Sequence, residues 1–225
     1  MRPVLVLLLA IWPGLVFAQE AGRRLTASAE ASIAAAPDMA VVTIGVESQA
    51  RTAAVALSSN SADMAAVIGL LRQSGLEDRD IQTSGLSISP VYARSSSSQQ
   101  ITGYVARNQV RARVRDLDRL GQLLDAAIGQ GANQLFGLSF GLQEPGPWAD
   151  RALAAAVTRA QEKALLMAEA AGVTLGRLLS VGESGGAVPV MPAARGMAVA
   201  MEAVPVAEGE LQISAGATVV YEIND

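Results

Sequence analysis

The chain contains no histidine and no cysteine, and Lys163 is its single lysine. Each absence excludes a class of chemistry. Zinc and copper centres built on imidazole or thiolate are ruled out. So are Ser-His and Cys-His nucleophiles, which need the missing base or the missing thiol. Without cysteine there is no disulfide framework, so packing must hold the fold together. The formal charge of −4 argues against a nucleic-acid partner. No Gly-rich phosphate loop follows a strand. The carboxylates are too scattered to suggest an oxygen-only calcium site. The sequence therefore predicts no metal and no cofactor.

What is present begins with a targeting segment. Arg2 supplies a short positive region, Val4 to Val16 is apolar apart from Pro13-Gly14, and Val16-Phe17-Ala18 offers small residues at cleavage spacing. The run is too short to span a bilayer comfortably, and no stop-transfer charges follow at once. A bacterial lipid anchor would need a cysteine at the new N-terminus. Residues 1–18 are thus expected to be a signal peptide, with periplasmic export and no stable membrane insertion after cleavage. Losing Arg2 from the 17 basic residues leaves 16 against 21 acidic ones, a net of −5. Residues 19–225 read as one α/β domain.

The stretch Tyr104–Leu142 sets its plan. Tyr104, Ala106, Val110, Ala112 and Val114 alternate with Arg107, Gln109, Arg111, Arg113 and Arg115, the period of a half-buried strand. Asp116 stands where a helix N-cap belongs. Leu117, Leu120, Leu124 and Ile128 recur on one helix face, and Gly129 and Gly131 can stop that helix. Leu135 and Phe136, then Leu138, Phe140 and Leu142, make a following strand.

The remaining elements follow by the same rules. Strands are expected at Leu25–Ile33, from Ala40 to Glu47, up to Tyr92, from Leu175 to Val181 and from Leu211 to Ile223. Pro90 marks one of them as an edge or strand end. Helices are expected over Thr52–Ser74 and Trp148–Ala171. The inner face of the second is lined by alanines 149, 152, 156, 160, 164, 168 and 171, and Arg159 and Glu162 can pair on its surface. Asn60 lies on the apolar face of the first and predicts a hydrogen bond to a strand end. The order ββαββαβαββ implies an α+β fold, a mixed and largely antiparallel sheet with three helices on one face. Its centre, Met39 to Leu142, is a βαββαβ unit of the split type. Three helices among the strands count against an outer-membrane barrel. Arg94 to Gln100 is a low-complexity hairpin tip. Residues 185–209 form a long apolar loop with three methionines and almost no charge, a composition opposite to that of disordered segments. It is expected to pack against another copy of the protein or onto its own sheet.

Two groups of side chains invite a functional reading. Arg107, Arg111, Arg113 and Arg115 share one sheet face and could meet an anionic partner, though sheets often have one solvated side. Any catalysis would have to use carboxylates or Lys163. Asp116 and Asp118 are explained by capping and solvation, Glu162 and Lys163 by a helix surface.

Pro37-Asp38, Asp80-Ile81-Gln82-Thr83, Ile101-Thr102-Gly103-Tyr104, Asn108, Gly131-Ala132-Asn133 and Lys163-Ala164, with Gly172 and Leu175-Gly176, together resemble the SIMPL-domain family. That family includes bacterial periplasmic immunogenic and oxidative-stress-associated proteins. The resemblance covers nearly the whole mature chain. It implies an exported α/β protein of the cell envelope without established catalytic residues, linked to stress protection. The expected function is accordingly non-enzymatic, with self-assembly through residues 185–209. The alternative is a small-ligand binder or hydrolase using carboxylates or Lys163.

Overall fold

The computed structural model describes residues 23–93, 100–185, 188–190 and 207–224. In chain order the elements are β1 (Arg24–Ala35), β2 (Met39–Ala50), α1 (Ala53–Gln73), β3 (Ile81–Tyr92), β4 (Ile101–Val114), α2 (Leu120–Gly129), β5 (Gln134–Gly141), α3 (Gly146–Ala171), β6 (Thr174–Glu183), β7 (Val188–Val190) and β8 (Leu211–Asn224). This is the expected α+β class and order, with β7 as a short addition. The strands are shared between two sheets rather than one, and every pairing is antiparallel. The first sheet runs β1-β8-β6 with β7 also on β8; the second runs β3-β4-β2-β5. Helix α3 packs on the first, α1 and α2 on the second. Alternation marks which side chains face a core, but it does not say which strand lies alongside.

The second sheet is the split βαβ plan. Strand β4 lies between β3 and β2, and β2 lies between β4 and β5. Ala40, Val42, Ile44 and Val46 of β2 share a core with Val110, Ala112 and Val114 of β4, under Met64, Val67 and Leu71 of α1. Thr52 caps α1 by accepting from the Val55 N–H at 3.4 Å. The fully buried Asn60 makes the expected strand contacts: its Nδ2 donates to Val46 O at 2.8 Å and Ala106 O at 3.1 Å. Helix α1 is long and apolar enough to cross a membrane by composition, yet its stripe from Ala56 to Leu71 is buried on the protein's own sheet.

The first sheet joins the two ends of the described chain. β1 pairs with β8 along its whole length, from Arg24↔Glu222 to Ala35↔Leu211. Ala152, Ala156, Ala160, Ala164 and Ala168 form one buried row on α3. They meet Ala27, Ala31, Ala35, Ala215, Ala217 and Val219. A row at i+4 spacing is a ridge, and single methyl groups let that ridge approach the sheet closely. Gly172 ends α3 in the left-handed region, φ 67°.

The chain crosses between sheets after β1 and after β5, and the two crossings are tied together. Asp38 Oδ1 accepts from the Gln143 N–H at 2.7 Å, and Gln143 Nε2 donates to Asp38 O at 2.9 Å.

Several expectations change. Asp116 precedes a single 3-10 turn, Leu117–Arg119, and its carboxylate makes no cap hydrogen bond; the irregular entry carries α2 past the reach of that side chain. Ile128 is 63% exposed, because Leu120, Leu123, Leu124 and Ala127 form the buried face instead. Arg159 does not pair with Glu162; it donates to Glu30 O at 3.2 Å. Within residues 185–209, Val188–Val190 pairs with Gln212–Ser214 as an added strand. The rest of that loop at 186–187 and 191–206, the hairpin tip at 94–99 and the expected signal peptide at 1–18 lie outside the described residues.

Candidate functional site

The odd-numbered residues of β4 point away from α1 and α2, and this places Arg107, Arg111 and Arg113 on one open face. Arg115 continues the row just past the strand. Their charges are used differently. Arg107 Nε donates to Glu47 Oε2 at 2.6 Å. Glu47 is fixed in turn by Asn133, whose side chain accepts from the Glu47 N–H and donates to its carbonyl, both at 2.8 Å. Asn133 thereby extends the β2–β5 ladder by one residue.

Arg115 grips Asp80 with two donors, Nη2 to Oδ1 at 2.8 Å and Nε to Oδ2 at 3.1 Å. The Asp80 side chain is only 3% exposed. Hydrogen bonding from Arg115 holds its carboxyl below the ordinary carboxylate value, against the desolvation that raises it. The same bond raises the Arg115 guanidinium. Gln143 accepts from Arg115 Nη1 at 3.4 Å. The sheet crossing and the Asp80 pair are therefore one polar network.

Arg111 and Arg113 are left as the available pair. Arg113 Nη1 stands 4.0 Å from Asp80 Oδ1, outside hydrogen-bond range. Arg111 has no carboxylate partner among the described residues. The two border a shallow slot of about 460 Å³, floored by Val41, Thr43 and Gly137 and edged by Arg79, Gln82 and Ser139. Asp80 and Arg113 also border a second cavity of about 360 Å³, toward the end of α1 and the side of α2, where Arg119 and Gln122 stand. A third, apolar groove of about 230 Å³ lies between α2 and β5 under Leu124, Ile128 and Leu135.

The four arginines thus share a face but not a role: two are neutralised and two are open. Sequence reasoning missed Arg79, and it met Asp80 only as part of a motif. Register brings them in. Ile81 lies opposite Ala112, so Asp80 arrives beside Arg113 and Arg115. A single sequence carries no signal for that pairing.

Lys163 Nζ donates to Ser28 O at 2.9 Å and lines none of the three cavities described above. Asp116 borders the second cavity, whereas Asp118 sits in the exposed 3-10 turn. Among the described residues no three acidic side chains converge as metal ligands would.

Residues 25–221 match the family model described as SIMPL, protein of unknown function (DUF541). A 26 kDa periplasmic immunogenic protein of Brucella melitensis is 35% identical over 211 residues, 89% of this chain and 84% of that one. The protein of the same name in Brucella abortus gives the same figures. An uncharacterized protein, YggE, of Edwardsiella ictaluri is 34% identical over 161 residues, 71% of this chain and 67% of its own.

Proposed function

The chain belongs to the SIMPL family, and from that premise we propose that it is an exported, non-enzymatic envelope protein that acts by binding. The working surface is the open arginine face of the second sheet, and its partner is anionic. One observation carries this reading. Arg111 and Arg113 are held open on a rigid strand while Arg107 and Arg115, on the same face, are neutralised by Glu47 and Asp80. Charge left open on an ordered sheet is suited to recognition, because the guanidinium fork is pre-organised for carboxylate and phosphate. The apolar leader and the periplasmic name of the Brucella relatives support export. In the envelope the protein contributes to stress protection by holding its partner rather than turning over a substrate. Self-association through residues 185–209 belongs to the same reading.

Cation-exchange chromatography of the mature protein tests the surface. A chain of net negative charge is retained on an anionic resin at neutral pH only if its positive charge is gathered on one face. Wild type is expected to bind at low salt, and a variant with Arg111→Gln and Arg113→Gln to flow through. Passage of both through the column would remove the reading.

A further inference from the structure

We propose that the slot between β2, β4 and β5 binds a phosphate monoester, a tetrahedral dianion, on Arg111 and Arg113. This deepens the anion-contact reading above and rests on it. The argument begins with charge. Three guanidinium groups border the slot, but Arg79 is paired with Glu77 at 2.9 Å, and the one carboxylate there, Asp80, is committed to Arg115. Those two pairs cancel, and Arg111 and Arg113 leave a surplus of two positive charges. A carboxylate or phosphodiester, with one negative charge, leaves half of that surplus uncompensated. A phosphate monoester carries about −1.5 to −2 at neutral pH and matches it.

Geometry points the same way. Arg111 and Arg113 are two residues apart on one strand, so their Cα atoms are about 7 Å apart. Two forks at that spacing can approach one tetrahedral group from different sides, each giving paired donors to its oxygens. Arg79, in the turn before β3, stands at the rim with its Nε and Nη2 on Glu77. Neutral donors complete the ring. Thr43 and Gln82 are the register partners of Arg111 on its two neighbouring strands, and Ser139 lies across Val41 from Arg113. The floor is low where the ester's organic part would lie, since a Cβ built on Gly137 meets nothing within 4 Å. The volume of about 460 Å³ holds a phosphoryl group with a small organic portion. No histidine or lysine borders the slot, so no group there is placed to move a proton near neutral pH, and the ester is held rather than cleaved.

Calorimetric titration of the mature protein tests the proposal at fixed ionic strength. Inorganic phosphate and glycerol 3-phosphate are expected to bind at least about tenfold more tightly than dimethyl phosphate, a diester monoanion. The Arg111→Gln, Arg113→Gln variant should lose that binding. A second variant, Gly137→Leu, fills the slot without touching a charge. It should lose phosphate binding while remaining on the anionic resin. Vesicles of phosphatidylcholine doped with phosphatidic acid or with phosphatidylglycerol identify the source. Selective capture on phosphatidic acid assigns the site to a lipid headgroup, and glycerol 3-phosphate binding without such capture assigns it to a soluble ester. Equal affinity for phosphate and dimethyl phosphate, or full phosphate binding by Gly137→Leu, overturns the slot proposal. If wild type still binds the resin in that event, the broader arginine-face reading survives. If it does not, both fall.

Discussion

Lys163 donates from Nζ to the main-chain carbonyl oxygen of Ser28, 2.9 Å away on β1. One turn earlier Arg159 donates to the carbonyl of Glu30 at 3.2 Å. Among the described residues strand β1 is an edge of the first sheet, and these carbonyls face no neighbouring strand. An uncovered edge is a template for pairing with another chain, and cations over it are a common protection. The single lysine therefore closes a sheet edge.

Replacing both residues with alanine should uncover that edge. Folding stability should fall by no more than about 1 kcal/mol, because exposed polar contacts contribute little. Light scattering during mild heating should show earlier aggregation than wild type. Unchanged aggregation with unchanged stability would mean the two contacts protect nothing.

The Asp80–Arg115 pair predicts a dependence on acid. The folded-state pKa of Asp80 is lowered, chiefly by the Arg115 hydrogen bond. A depressed carboxyl contributes stability that is fully present above its unfolded pKa, about 3.9. That contribution is lost as pH falls through the folded value. The stability difference between wild type and Asp80→Asn should stay constant from neutral pH to about 5 and shrink below about 4. Urea unfolding at several pH values measures it. A difference that stays the same down to pH 2 would show that ionisation of Asp80 is not its source.

How far the sequence reveals this molecule can be judged residue by residue. The alternation in β4 places its arginines on one face, and the i+4 alanines of α3 announce a close helix–sheet contact. Both are local patterns, repeated often enough to be unambiguous. The two sheets are not legible, because β1 finds its partner in β8, almost the full chain away. The neutralised and open arginines are not distinguishable for the same reason. Glu47 and Asp80 reach them through register, and register is a property of paired strands. Ile128 misled because the buried face of α2 is centred on Leu120, Leu123, Leu124 and Ala127, and Ile128, a full turn on from Leu124, falls at its edge.

Asn60 offers a test of the second sheet. Its Nδ2 satisfies Val46 O and Ala106 O, and Ser48 Oγ lies at 3.4 Å, while its Oδ1 has no hydrogen-bond partner within the protein. Removing the donor strips partners from two buried carbonyls, so Asn60→Leu should cost about 1–3 kcal/mol. Asn60→Asp should cost more, since it removes the donor and buries a carboxylate with no cation beside it. Denaturant midpoints rank the variants. If Asp proves the milder change, the side chain is not enclosed as described.

The apolar stretch between β7 and β8 yields the last prediction. Val188–Val190 is anchored to β8. Met191, Met197, Val199, Met201, Val204 and Val206 follow, outside the described residues, against few charges: Arg195 and Glu202. Leaving such side chains in water is unfavourable by about 25 cal/mol per Å², and methionine adapts readily to a partner's contour. The segment is therefore expected to bury itself against a second copy of the protein. Light scattering coupled to gel filtration compares the mature protein with a version in which residues 191–206 become a short Gly/Ser linker, leaving β7 in place. The intact protein should elute as a defined oligomer and the linker version as a smaller species, each with the same circular dichroism in its folded core. The same mass for both would show that the segment does not mediate assembly. Retention of the linker version on the anionic resin would then separate self-association from the arginine face, which lies on the other sheet.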